Sequence, residues 1–151
     1  MKFGDIILFK PTGLHGKIIA KIDGSGYSHA AIYLGKDSGV DLFIESHEKK
    51  NGVVITRLED WKNYTVLRPK KKMKHHTREA LLEKLGTGYD FSMIGWILVS
   101  KIFNKDRDTN DDNLLICSEL VDWFYMYEIG GKKICTPRTI ATCDKFNIIK
   151  V

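Results

Sequence analysis

Three observations in the sequence predict an α+β fold. Short runs rich in β-branched and aromatic residues fill residues 1–70, and helical periodicities follow them, which is the α+β order. The runs are joined by short turn clusters, Asp23-Gly24-Ser25-Gly26 and Asn51-Gly52 among them, which suit antiparallel neighbours. Over 151 residues, 43% are apolar and 28% charged, a globular balance at the usual length of one domain. The expectation is a single domain over residues 1–151. Its core would be an antiparallel sheet of about five to six strands packed against helices.

Residues 5–10 (DIILFK) are short, apolar and closed by Pro11, a buried-strand pattern. Residues 14–22 (LHGKIIAKI) have helical spacing, weakened by Gly16. Residues 28–34 (SHAAIYL) form a second strand, stopped by Gly35. Residues 40–46 (VDLFIES) alternate, with Val40, Leu42 and Ile44 against Asp41, Phe43 and Glu45. A hairpin turn at Asn51-Gly52 leads into residues 53–58 (VVITRL), and residues 64–68 (YTVLR) end at Pro69. Short connections predict an antiparallel meander. Residues 68–76 are basic and unperiodic, and read as an exposed loop, since burying such a run unpaired is prohibitive. Residues 77–85 read as a helix with Thr77 as N-cap and Gly86 as its stop. An apolar helix is expected over 92–103, a polar surface loop over 104–113 and a helix over 114–128. Thr136-Pro137 opens a last short helix through Cys143, and residues 146–151 close the sheet.

Composition excludes several classes. The net charge of +5 permits anionic partners without demanding them. The basic run 68–76 lacks interleaved aromatics, so no nucleic-acid partner is expected. Cysteines occur only at 117, 135 and 143, with no CxxC, which fits neither a disulfide scaffold nor a zinc ribbon. The N-terminal apolar run is four residues, too short for a signal core. The longest apolar stretch, 91–103, includes Ser92, Ser100 and Lys101 and falls short of the ~20 residues of a span. A cytoplasmic protein without a membrane span is expected.

Cys117 lies near the start of an amphipathic helix, where the partial positive charge of the helix end favours thiolate over thiol. A lone cysteine is also commonly just a small buried hydrophobe. A nucleophile needs a base, and five histidines compete. His75 and His76 sit in the basic run, and His15 lies among charged neighbours. His29 opens an apolar strand as it leaves a Gly-rich turn, rigid yet accessible, while His47 lies near a strand end. Glu45, in the following strand, can come alongside His29 across an antiparallel pair and stabilise its imidazolium. The alternation also allows Glu45 to point to solvent with Asp41.

Taken together, these pieces resemble the circularly permuted branch of papain-fold, NlpC-like cysteine hydrolases, in particular the YiiX-like family. Gly4-Asp5-Ile6-Ile7-Leu8-Phe9 is similar to that family's opening strand, and Ser28-His29-Ala30-Ala31-Ile32-Tyr33-Leu34-Gly35 to its histidine strand. Phe43-Ile44-Glu45-Ser46 resembles the strand of the third polar residue, and Tyr89-Asp90-Phe91 a tyrosine motif. Cys117-Ser118-Glu119-Leu120-Val121 resembles the start of the nucleophile helix, and Thr136-Pro137 with Phe146 the C-terminal segment. The resemblance implies a permuted papain-like fold, with histidine preceding cysteine in the chain. It implies Cys117 as nucleophile, His29 as general base and Glu45 as orienting residue, with His47 a second candidate for that place. Tyr89 and the Cys117 backbone N–H would support the oxyanion. Ile116 departs from the Asp often found before the cysteine in the unpermuted branch.

What the resemblance implies is acyl transfer through a thioester on a small amide, peptide or acylated substrate, with no metal or organic cofactor. Lipid acyl transfer belongs to the same permuted arrangement. Two other classes compete: a binding module of this fold with an idle cysteine, and a metal hydrolase built on His29, Glu45 and His47.

Overall fold

The computed structural model describes residues 1–92, 114–131 and 134–149. Strand β1 (Ile6–Phe9) leads into helix α1 (Gly13–Asp23). Then come β2 (His29–Asp37), β3 (Val40–His47), β4 (Gly52–Arg57) and β5 (Tyr64–Pro69), with single 3-10 turns at Glu48–Lys50 and Leu58–Asp60. The rest of the described chain forms α2 (Arg78–Glu83), β6 (Gly88–Tyr89), β7 (Leu114–Leu115), α3 (Cys117–Phe124), α4 (Pro137–Thr142) and β8 (Phe146–Ile149). The expected helix over 92–103 and the loop over 104–113 lie outside the described residues, apart from Ser92.

The protein is α+β, as its element order predicts. Its strands form one curled sheet in the order β7-β6-β4-β3-β2-β1-β5-β8. Among the described residues the expected five to six antiparallel strands become eight, and the sheet is mixed, because β6 and β7 pair in parallel. Both added strands are two residues long and carry no alternation to read. Strands β2, β3 and β4 form the expected meander, but β5 leaves it and pairs with β1, Leu67 opposite Ile6. A two-pronged ion pair accompanies that crossover. Arg68 Nε and Nη2 donate to the two carboxylate oxygens of buried Asp5 at 2.8 and 2.6 Å. Arg68 therefore belongs to β5 rather than to the basic loop, and the exposed basic residues begin at Lys70.

Helix α1 forms despite Gly16. A Cβ there would lie 3.3 Å from Ser28 Oγ and 3.4 Å from Pro11, so the glycine lets the helix lie close to the chain. Thr77 caps α2 as expected, its hydroxyl accepting from Ala80 N–H at 3.3 Å. Helix α3 is shorter than the expected 114–128. Leu114 and Leu115 are drawn into the sheet edge instead, and Met126 and Tyr127 take left-handed φ angles of 53° and 59° beyond its end. Thr136 and Thr139 cap each other's backbone at the start of α4, with Pro137 at its first position.

The two faces of the sheet bury different clusters. Leu120, Val121 and Phe124, on one stripe of α3, pack on Ile6, Leu8, Ala30, Ile32 and Ile44. The opposite face gathers Ile7, Phe9, Ala31, Tyr33, Phe43 and Leu58, with Trp61 and Tyr64 alongside. Period-two alternation puts His29, opposite Phe9, and Glu45, two residues from Phe43, on this second face. Glu45 is therefore not on a solvated face: it is 0% exposed.

Candidate active site

The edge strands bring cysteine and histidine together. Gly52 pairs with Gly88, which ties β6 to β4, and β7 pairs with β6. The approach at Gly52 is so close that a Cβ would meet Thr87 O at 2.2 Å, and its φ of +149° suits glycine alone. From β7 the chain passes through Ile116 into α3. A further clamp comes from β3, where the buried Ser46 hydroxyl donates to the Leu115 carbonyl at 2.5 Å. Cys117 is thus the first residue of α3, close enough to the His29 ring for its sulfur to act on it electrostatically.

His29 Nε2–H donates to Glu45 Oε2 at 2.5 Å. Ile32 pairs with Ile44, so Glu45 lies diagonally from His29 rather than directly opposite. With Nε2 engaged by Glu45, Nδ1 is the ring nitrogen left for Cys117. His47 does not take Glu45's place: its ring centroid is 5.7 Å from that of His29, and its Nδ1 accepts from Lys49 N–H at 3.1 Å. The Trp61 indole stacks on the His29 ring, with centroids 5.4 Å apart at an interplanar angle of 10°, and lies 6.0 Å from the His47 ring.

Burial works against a charged His29, whose side chain is only 13% exposed, but the Cys117 sulfur and then Glu45 outweigh it. The imidazole is pushed up to about 10. Burial likewise opposes the Glu45 charge, yet hydrogen bonds from His29 and Thr56 and the His29 charge hold its carboxyl below the usual range. Burial and the neighbouring His29 and Lys50 charges lower His47 against the pull of Glu45. Tyr89 is buried in the same place. Burial first, then the Cys117 charge, raises its phenol far above the ordinary value, so it stays protonated and able to donate.

Two clefts meet at this pair. One, with a cavity volume of about 50 Å³, is lined by Ile19, Ile22, Ile116 and Pro137 around Cys117 and Tyr89. The other is more polar and opens past Ser28, His29, His47 and Trp61. Ile116 has no side-chain acceptor to cap the first turn of α3, while its own N–H donates to Glu119 Oε2 at 3.0 Å. The Cys117 N–H is the first donor of α3 itself, at the helix start.

The remaining histidines and cysteines fall elsewhere. His75 and His76 stack on Phe124 and Trp123, at the opposite end of α3 from Cys117. His15 lies in α1. Cys135 is buried, and burial followed by the Asp122 charge holds its thiol well above the ordinary range. Sequence reasoning missed Thr56 and Trp61. The alternation of β4 places Thr56 on a buried face, where a hydroxyl needs a partner, and that signal was readable. Trp61 follows a turn and carries no comparable signal. Among the described residues, no group of three or more His, Cys, Asp or Glu side chains is arranged to hold a metal ion. Nor is any helix among them long and apolar enough to cross a membrane. In comparisons with known proteins, no family model matches the chain and no curated protein matches it.

Proposed function

We propose that this chain is a cysteine hydrolase with a permuted papain-like fold, cleaving an amide bond of a peptide or N-acyl amine through a thioester. The observation that carries the reading is the His29–Glu45 hydrogen bond, with Glu45 wholly buried, beside a Cys117 sulfur that acts electrostatically on the same ring. In the attacking form His29 carries the proton and the Cys117 sulfur is the nucleophile. The sulfur attacks the substrate carbonyl carbon, and the carbonyl π pair moves onto oxygen. That oxyanion takes hydrogen bonds from the Cys117 N–H at the start of α3 and from the Tyr89 hydroxyl. The tetrahedral intermediate collapses, the C–N bond breaks, and His29 Nδ1–H protonates the leaving amine. A water then gives a proton to His29 and attacks the thioester carbonyl, releasing the acid and regenerating the ion pair. Glu45 holds the ring by Nε2 and balances its charge throughout.

The apolar cleft formed by Ile19, Ile22, Ile116 and Pro137 suits an apolar group on the acyl side of the scissile bond. Iodoacetamide at about pH 6, followed by peptide mass mapping, tests the reading without a known substrate. Cys117 should be modified first and His29→Ala should slow that modification at least tenfold. Cys117 reacting no faster than glutathione removes the catalytic reading.

A further inference from the structure

The Glu45 carboxylate is fully buried, and each of its oxygens has its own donor. Oε2 takes His29 Nε2–H at 2.5 Å, and Oε1 takes the Thr56 hydroxyl at 2.6 Å. Thr56 is itself buried on β4, two residues beyond Val54, which pairs with Glu45. The direction of its hydroxyl is constrained from the far side. The Lys50 ammonium, exposed on the 3-10 turn Glu48–Lys50, donates to Thr56 Oγ1 at 3.1 Å. An ammonium can only donate, so it occupies an oxygen lone pair and leaves the hydroxyl proton to point at Glu45.

We propose that Thr56, held by Lys50, is a positioning residue: it keeps the Glu45 carboxylate ionised and in plane with His29, extending the line of contacts to Lys50-Thr56-Glu45-His29-Cys117. The proposal rests on the hydrolase reading for its purpose, not for its geometry. Elements packed around Glu45 bring His29 from β2, His47 from β3, Lys50 from the 3-10 turn and Cys117 from α3 as the other titratable groups. A buried carboxylate deprived of one hydrogen bond is harder to ionise, and removing the hydroxyl leaves Oε1 facing a methyl group.

The test is a pH titration of the Glu45 side-chain carboxyl by 13C NMR in glutamate-labelled protein, with the resonance assigned through Glu45→Gln. Thr56→Val keeps the shape and removes the donor. It should raise the Glu45 midpoint by about one pH unit, the worth of one charge-assisted hydrogen bond. Thr56→Ser should restore it. Lys50→Met, a surface change, should raise the midpoint in the same direction by a smaller step, and it answers the question if Thr56→Val does not fold. A midpoint unmoved in Thr56→Val, even with lowered thermal stability, overturns the positioning role; so does an unmoved midpoint in Lys50→Met when Thr56→Val is unfolded. Failure of the two readings is distinguishable. A moved midpoint with an unreactive Cys117 keeps the positioning role and removes the hydrolase. An unmoved midpoint with a fast Cys117 does the reverse.

Discussion

Replacing Glu45 by Gln removes a charge while nearly conserving shape, and its consequence can be worked from the contacts. His29 is pushed from 6.5 to about 10 against burial. That span corresponds to about 5 kcal/mol in favour of the imidazolium at ~1.36 kcal/mol per pH unit. Cys117 supplies the larger part of the upward push and Glu45 the remainder. A hydrogen bond to a charged group contributes roughly 1.5–3 kcal/mol and a neutral one about 1 kcal/mol. Losing the carboxylate charge should therefore cost the imidazolium about 1–2 kcal/mol, or about one pH unit. The amide also has one acceptor oxygen where the carboxylate has two. If that oxygen faces Thr56, the amide N–H₂ confronts His29 Nε2–H. If it faces His29, the Thr56 hydroxyl, already accepting from Lys50, loses its acceptor.

The assay is a 15N NMR titration of histidine-labelled protein, which reports the His29 ring directly. At pH 9 a ring with a midpoint of about 10 is roughly nine-tenths protonated, and one with a midpoint of about 9 is half protonated. The second readout is the rate of Cys117 alkylation near pH 6, which the imidazolium beside the sulfur should promote. That rate should fall by up to about tenfold as the pair shifts towards thiol and neutral imidazole. A His29 midpoint that stays within about 0.3 pH units of the wild type, or that rises, refutes the coupling between these residues. If His47→Ala lowers the midpoint and Glu45→Gln does not, the orienting residue is His47.

Alkylation at about pH 6 should follow the order Cys117 first, with buried Cys135 last, because its thiol is raised and shielded; faster modification of Cys135 or Cys143 contradicts the assignment. The charge of His29, whose folded value lies above its unfolded one, contributes stability that is fully present below about 6.5 and lost as pH rises through about 10. Urea melts should accordingly show the wild type's advantage over His29→Ala shrinking between pH 6.5 and 10; an advantage that grows over that range has the wrong sign. Leu120→Ala, at a fully buried site on α3, should cost about 2–5 kcal/mol of unfolding free energy in chemical denaturation, and a loss under about 1 kcal/mol contradicts its core position. Gly52→Ala should cost about 2 kcal/mol or more through the clash with Thr87 O, measured in the same way.

Much of this architecture was readable from residue order. Each long strand announced itself by alternation or by an apolar run bounded by Pro or Gly, and Thr77 and Thr136-Pro137 marked helix starts correctly. Pairing was less legible. The short link at Leu58–Asp60 suggested that β5 continues the meander, whereas it crosses to β1, where its Arg68 meets Asp5. That preference rests on two residues 63 apart in the chain, and local pattern cannot encode it. Strands β6 and β7 were invisible for a different reason: two residues show no period, and their pairing depends on the missing Cβ of Gly52. At the site, Glu45 could be placed beside His29 but its burial could not. A polar position in the alternation becomes interior because its face of the sheet gathers Phe9 and Trp61 from other elements beside Phe43 of its own strand.

Nucleophile and base are held by separate parts of the fold, and that separation bears on how the site is assembled. His29, Glu45 and Thr56 sit on β2, β3 and β4, a meander closed by local hairpins, so their mutual geometry is fixed as soon as these strands pair. Cys117 arrives from the other direction, through β7, β6 and the Ser46 hydroxyl. In that attachment Gly52 is the residue of β4 paired with β6, and Val53 beside it bonds Thr87 O and Gly86 N–H through its backbone. Loosening it should separate Cys117 from His29 while leaving the His29–Glu45 bond intact. In Gly52→Ala, the Cys117 contribution to the His29 midpoint should fall away and the Glu45 contribution persist. In Glu45→Gln the reverse should hold. Two variants on neighbouring strands thus divide the elevation of one imidazole between its two sources, and because the groups share that ring, the two effects should not add.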